Sequence, residues 1–317
     1  MKKKMNRRTF IKKSAAIGAV SVVSGSVLSG CAKNGGTLSG QRTDLDISIV
    51  KGADYSQNAI RAVEQLGGIE AFVPQNAKVA ILANPQRNNP GSFTSPKILK
   101  ATIQMCKNAG ASKVSCISQL PDQNWMTTGL KKIVEEEGSD LIIADRNDEN
   151  QFKTVPIPNG IALKEAQVMN AFFDYDVFID MPITKDHAGN KFTGTMKNLM
   201  GLTSRATNRT FHKEGWQTEI NAIDHLEQCI ADLNTIIMPT LCIVDATEFI
   251  ITNGPFGPGE ILKPQKVIVG TDRVAIDSYC CTLWGLSAQD ILQIKKAHRH
   301  GLGEIEIQNV KIKETQV

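Results

Sequence analysis

The sequence predicts an α/β fold, a mainly parallel sheet with helices on both faces, elaborated within a single domain. Three observations predict it. Apolar strand-like runs alternate with amphipathic helical patterns at the spacing of β-α-β units. Runs such as Lys78–Ala83 (KVAILA) are apolar after their first residue, as a strand buried between two helical layers must be. Polar, glycine-containing loops follow several strands, where open α/β sheets bind their ligands.

The elements follow in order. Asp46 to Val50 alternates as a strand, and Ser56 can cap a helix with Ala59, Ile60, Val63 and Leu66 on one face, stopped by Gly67-Gly68. Lys78–Ala83 is followed by a polar loop carrying Asn84 and Arg87, then by a helix starting at Thr94-Ser95-Pro96, where proline after a hydroxyl cap is a start signal. Lys113 to Ile117 returns as a strand, Trp125 to Glu137 reads as a helix, and Leu141 to Ala144 as a short strand. Phe152 to Leu163, with Pro156 and Pro158, reads as an extended edge or crossover, and Ala166 to Phe173 as a helix before the strand Val177 to Met181. Glu214 to Ile237 is the longest helical pattern. Leu241 to Val244 is a strand ending in Asp245, ahead of a glycine-and-proline loop that holds Asn253. Lys266 to Val269 is the next strand, Thr271-Asp272 caps a helix carrying Asp277, Ser287 begins the last helix, and Glu304 to Lys313 is a final strand. Residues 46–317 thus form one domain, with two interleaved lobes as the second arrangement.

Residues 1–30 read as a targeting segment and 31–45 as a flexible tether. Asn6-Arg7-Arg8-Thr9-Phe10-Ile11-Lys12 matches the twin-arginine pattern, and Leu28-Ser29-Gly30-Cys31 resembles a bacterial lipoprotein cleavage box. The expected partners are therefore the twin-arginine translocase and, through a lipid on Cys31, a membrane facing the extracytoplasmic side. This segment holds seven of the 36 basic residues and no acid, leaving 29 basic against 32 acidic groups, a net charge of −3. A nucleic-acid partner is not expected from that balance. No C-x-x-C spacing occurs among the seven cysteines, so no intrinsic iron–sulfur cluster is expected, and those beyond Cys31 read as buried free thiols. His225 and Cys229, a helical turn apart, read as packing before metal ligation.

One stretch stands out chemically. Between Pro182 and Lys213 come four lysines, two arginines, two histidines and three glycines against one acid, Asp186. Lys185, Lys197, Asn198, Arg205 and Arg209 supply donors for a phosphate or carboxylate, with Arg87 and Asn253 from neighbouring loops. His187 and His212 are candidate general acids or bases beside Lys185, and with Asp245 and Asp277 they are candidate ligands for a divalent metal. Gly189, Gly194 and Gly201 would let backbone N–H groups approach a ligand. Thr195-Met196 stands where a phosphate-binding P-loop needs Lys-Ser or Lys-Thr, and no dinucleotide, serine-hydrolase or zinc-protease signature occurs.

PITKDHAGNKFTGTMKNLMGL, with the later TNRTFHK, NGPFGPGE and TDRVAIDSY, resembles the domain of unknown function 362 family from about Ile47 to Gly303. The resemblance implies an α/β domain, often exported by the twin-arginine route and often joined to a ferredoxin segment, whose cysteine spacing is missing here. It implies no agreed chemistry. The expectation is an exported enzyme or redox accessory, served by a redox partner protein, acting on a small anionic substrate; the alternative is a non-catalytic, tethered ligand-binding or assembly lipoprotein.

Overall fold

The computed structural model describes residues 38–317; the residues read as a targeting segment, and Cys31, lie outside the described residues. An eight-stranded sheet forms the centre, built from β1 (Ile47–Lys51), β2 (Lys78–Ala83), β3 (Lys113–Ser118), β4 (Asp140–Ile143), β7 (Val177–Met181), β8 (Leu241–Ala246), β11 (Lys266–Gly270) and β12 (Ile312–Gln316). Its order is β12-β1-β11-β8-β7-β2-β3-β4, and two short pairs stand apart from it, β5 (Phe152–Pro156) with β6 (Glu165–Met169) and β9 (Phe249–Ile250) with β10 (Ile261–Leu262). All neighbours pair in parallel except β11, which runs against both β1 and β8.

The strict alternation of a pleated strand sorts the apolar residues onto two faces. On β2, Val79, Ile81 and Ala83 join one buried cluster, with Ala59 and Val63 of α1 (Tyr55–Gln65), Leu99 of α2 (Pro96–Asn108), Trp125 of α3 (Asp122–Thr127) and Val134 of α4 (Leu130–Glu136). Ala80 and Leu82 join the other, with Met196 of α5 (Thr195–Asn198), Phe211 of α6 (Arg205–Phe211), Ile230 of α7 (Ile220–Asn234), Ile276 of α8 (Arg273–Thr282) and Ile294 of α9 (Leu292–Arg299). The sheet is therefore covered on both faces, which is why its central strands read as continuous apolar runs.

Several local expectations are corrected. Ala166–Phe173 is not a helix: β6 (Glu165–Met169) pairs antiparallel with β5 (Phe152–Pro156), and a 3-10 turn, Asn170–Asp174, follows. Ala166 and Val168 are buried while Glu165 is exposed, a two-residue period too short to outweigh the helix-forming composition. The helix read over Trp125–Glu137 is split at Gly129, whose φ of 75° starts α4 anew. Asp54, not Ser56, caps α1, accepting from the N–H groups of Ser56 and Gln57. The helix read from Glu214 begins only at Ile220.

Candidate functional site

From β2 the chain steps outward through β3 to β4, then returns on the opposite side of β2 with β7 and β8. The reversal falls between β2 and β7, and such a switch point opens a crevice at the carboxyl ends of the strands. A cavity of about 110 Å³ lies there, lined by Leu82 to Gln86 after β2, Ser118 to Leu120 after β3, and His187, Lys197, Asn198 and His212 from the segment after β7. That is room for several water-sized groups, enough for a small organic anion.

The post-β7 segment is held in place by hydrogen bonds that leave little freedom. Lys185 and Thr193 exchange backbone hydrogen bonds, closing a short loop around His187. Asp186 accepts from the N–H of Gly254, and Ala188 N–H donates to Gly254 O, tying the loop to the glycine-and-proline segment. A side chain on Gly254 would run into the Asp186 carbonyl. Gly194 has a different task from the predicted one: a side chain there would strike the Asp277 carboxylate. Its glycine makes room for a cap, not for a ligand.

Asp277 is that cap. Its Oδ1 accepts from Thr195 N–H at 2.7 Å and the Thr195 hydroxyl at 2.9 Å, and its Oδ2 from Met196 N–H at 3.1 Å. Asp245 is similarly committed, accepting from Ser95 N–H, Thr247 N–H and the Thr247 hydroxyl. Burial pushes both carboxyls up to about 6 against these hydrogen bonds. Neither lines the crevice. Among the described residues no group of three or more His, Cys, Asp and Glu side chains is placed to hold a metal ion, so the structure does not bring the predicted metal set together. His225 Nε2 lies 3.4 Å from Cys229 Sγ and 2.9 Å from Thr210 O, and the six described cysteines are free and buried.

The cations divide into two kinds. Arg205 and Arg209 lie on the exposed face of α6, where Arg205 reaches only Asn147 at 3.4 Å. Arg87 is exposed and sits 5.0 Å over the Phe256 ring, and Asn253, at φ 55°, donates to Pro258 O to close its own turn. None of the four lines the crevice. Lys185 and Lys197 are buried, and among the described residues neither has a carboxylate oxygen within ion-pair reach. Lys185 stands behind the wall, donating to Ser92 O at 2.6 Å and Gln86 Oε1 at 3.4 Å. Burial, then the charge of Lys197, lowers it to about 7. Lys197 is on the wall itself, and among the described residues the one hydrogen-bond contact of its Nζ is the Met200 sulfur, at 3.8 Å.

Both histidines on the wall are held in one tautomer. His187 Nδ1 faces Ala188 O at 2.7 Å and His212 Nδ1 faces Asn208 O at 3.0 Å. A carbonyl oxygen can only accept, so Nδ1 carries the proton in each ring and Nε2 keeps a lone pair. Burial, then Lys197, holds His187 well below its ordinary value and His212 at about 4. Trp216 packs against both rings, with centroids 5.5 Å and 4.8 Å away. Two neutral bases thus border a crevice whose fixed charge is positive.

Asn198 positions rather than binds. Its Nδ2 donates to Leu82 O and Asp180 Oδ1, and its Oδ1 accepts from Asn84. Asp180, wholly buried on β7, is pushed well above the carboxylate range by desolvation. Glu227 of α7 is the residue that sequence reasoning missed. It is 1% exposed, accepts from Gln293 N–H at 2.6 Å, and its Oε1 completes no hydrogen bond. Burial raises it, while the Gln293 N–H, then the nearby Asn190 side chain and the charge of Lys197, oppose that rise. Its negative charge in turn favours the protonated form of Lys197.

Residues 78–282 match the family described as Domain of unknown function (DUF362), spanning β2 to the last residue of α8 and so every group on the crevice wall. The chain is similar to the lactate racemase apoprotein from Thermoanaerobacterium thermosaccharolyticum, with 14% identity and a TM-score of 0.46 over 82% of this chain and 57% of that one. It therefore spans little more than half the length of that protein. No curated protein matches the chain.

Proposed function

The chain belongs to the DUF362 family, and from that premise, which fixes no chemistry, we propose that it is an enzyme that binds a small carboxylate or phosphate in the crevice and moves protons on it. One observation carries this proposal: two buried lysines, one on the crevice wall and one behind it, have no carboxylate oxygen within ion-pair reach among the described residues. Burying an unpaired ammonium costs several kcal/mol, roughly, and folds retain such a group where a ligand supplies the counter-charge. Lys197 would meet the anion directly, and Lys185 would add its field through Gln86. The free Nε2 atoms of His187 and His212 would take or return a proton, since each ring is oriented and neutral. The enclosing walls strengthen every charge interaction inside. The committed oxygens of Asp245 and Asp277 do not fit a metal role, so no step passes through one.

We place this enzyme at the cell envelope, exported by the twin-arginine route and tethered by lipidated Cys31. Cys31→Ala should move it from the membrane fraction to the soluble one; unchanged fractionation would remove the tether. The test of the site is calorimetric titration with inorganic phosphate and with acetate. Saturable binding that vanishes in Lys197→Met and persists in His187→Ala and His212→Ala is expected. Absence of binding by wild type would end the proposal. Once a substrate is found, turnover unaffected by both histidine changes would favour the tethered, non-catalytic ligand binder.

A further inference from the structure

An amine that only supplies charge is ordinarily anchored by acceptors, as Lys185 is by Ser92 O and Gln86 Oε1. Lys197 is not: its Nζ lies against a thioether in the wall of a small cavity, with no oxygen within hydrogen-bond distance among the described residues. A lysine acts as a nucleophile when it is desolvated and beside a second cation, because both disfavour its proton. Lys185 reaches the back of the same wall at Gln86, and the charge of Lys197 lowers it. Burial lowers Lys197 against the pull of Glu227; the buried Oε1 of Glu227 completes no hydrogen bond and lies beyond ion-pair reach, so a proton leaving Lys197 would reach it only through water in the cavity.

Resting on the anion-binding function proposed above, we infer that Lys197 forms an imine with a small carbonyl-bearing anion, a 2-oxo acid. In the forward step the Nζ lone pair attacks the carbonyl carbon and a C–N bond forms. The former carbonyl oxygen gains a proton, and nitrogen loses one. A second proton on that oxygen, the one Lys197 gave up at the start, lets the C–O bond break and water depart, leaving a protonated imine, C=NH+, with charge and protons conserved. No electrons are gained or lost, so no further reactant is required. The lone-pair nitrogens of His187 and His212, on the same wall, are the groups free to carry these protons. A cavity of about 110 Å³ restricts the substrate to a few heavy atoms. The positive field of Lys185 favours one whose carboxylate adjoins the carbonyl.

The test treats the full chain with glyoxylate, pyruvate or 2-oxobutyrate in sodium cyanoborohydride, digests it, and maps the reduced adduct by mass spectrometry. A saturable adduct at Lys197 with at least one of the three, competed away by inorganic phosphate, is expected. Lys197→Arg keeps the charge and should still bind phosphate by calorimetry while yielding no adduct at position 197. Wild type that binds phosphate but shows no modification at Lys197, or only scattered modification of surface lysines, overturns the imine and spares the anion site. Wild type that neither binds phosphate nor forms the adduct overturns both. The wild-type mapping decides the matter even if the arginine variant fails to fold.

Discussion

Two carboxylates on α7, Glu227 and Asp232, are both buried to within 1%, yet they live in opposite circumstances. Asp232 is saturated. Its Oδ2 accepts from the backbone N–H groups of Ile161, Ala162 and Leu163, and its Oδ1 meets Gln228 Nε2 and, at 2.9 Å, His300 Nε2. It is a joint that fastens the loop between β5 and β6, and the end of α9, to the longest helix. Glu227 accepts one backbone N–H while its Oε1 completes no hydrogen bond, and Lys197, whose charge opposes its rise, stays beyond ion-pair reach. A satisfied buried charge organises a fold; an unsatisfied one costs stability and points to something the fold is built to receive.

The largest effect should come from breaking the joint. Asp232→Ala leaves three backbone N–H groups, Gln228 and His300 without their acceptor and should cost about 3–5 kcal/mol in denaturant unfolding. Asp277→Ala should cost less, about 2–3 kcal/mol, by stripping the cap from the short helix that presents Lys197. At Lys197 the sign should reverse. Lys197→Met replaces an unpaired buried cation with a similar-sized apolar chain and should leave stability unchanged or raise it by about 1 kcal/mol, while anion binding is lost. A large destabilisation there would mean that Lys197 is a structural element, and the contrast with Asp232 would collapse.

Lys185 offers a finer test. Its folded value of about 7 lies below the ordinary 10.5, so between those limits the unfolded chain holds the proton that the folded chain has released. Stability contributed by this group therefore rises with pH from about 7 toward 10.5. Melting profiles of wild type minus Lys185→Met should climb over that window; a flat difference would show that Lys185 is not depressed. The smallest effect belongs to the exposed arginines. Arg205→Ala and Arg209→Ala should change stability by no more than about 0.5 kcal/mol and leave phosphate titrations unaltered.

Much of this was legible in the sequence because the relevant physics is local. Lys78–Ala83 and Val177–Met181 carry apolar residues on both faces, and both are strands with those limits. Lys185, His187, Lys197 and His212 were marked by their density in one post-strand segment, and three of them line the crevice. Arg205 and Arg209 shared that density but fall on the outer face of α6, a helical phase that composition alone does not fix. Asp245 and Asp277 looked like ligands because chain order puts them near the site; hydrogen bonds to distant backbone consume them. Glu227 was invisible for a related reason. In an amphipathic helix a glutamate reads as solvent face, and what buries it is α9, packed against α7 from far along the chain. The signal that existed was the run Leu226 to Asn234, where four polar residues, Glu227, Gln228, Asp232 and Asn234, are all buried.

The polarity of the sheet also decides which way the crevice faces. β1 opposes β11, which opposes β8, so β1 runs with β8, β7 and β2. Its first residue, Ile47, is therefore at the edge where those strands begin, and the preceding chain stays there, with Thr43 N–H donating to Leu66 O at the end of α1. The crevice opens at the far edge, where the strands end. The described chain that leads back toward Cys31 thus joins the domain at the edge opposite the mouth, so an attachment from that end leaves the opening unobstructed.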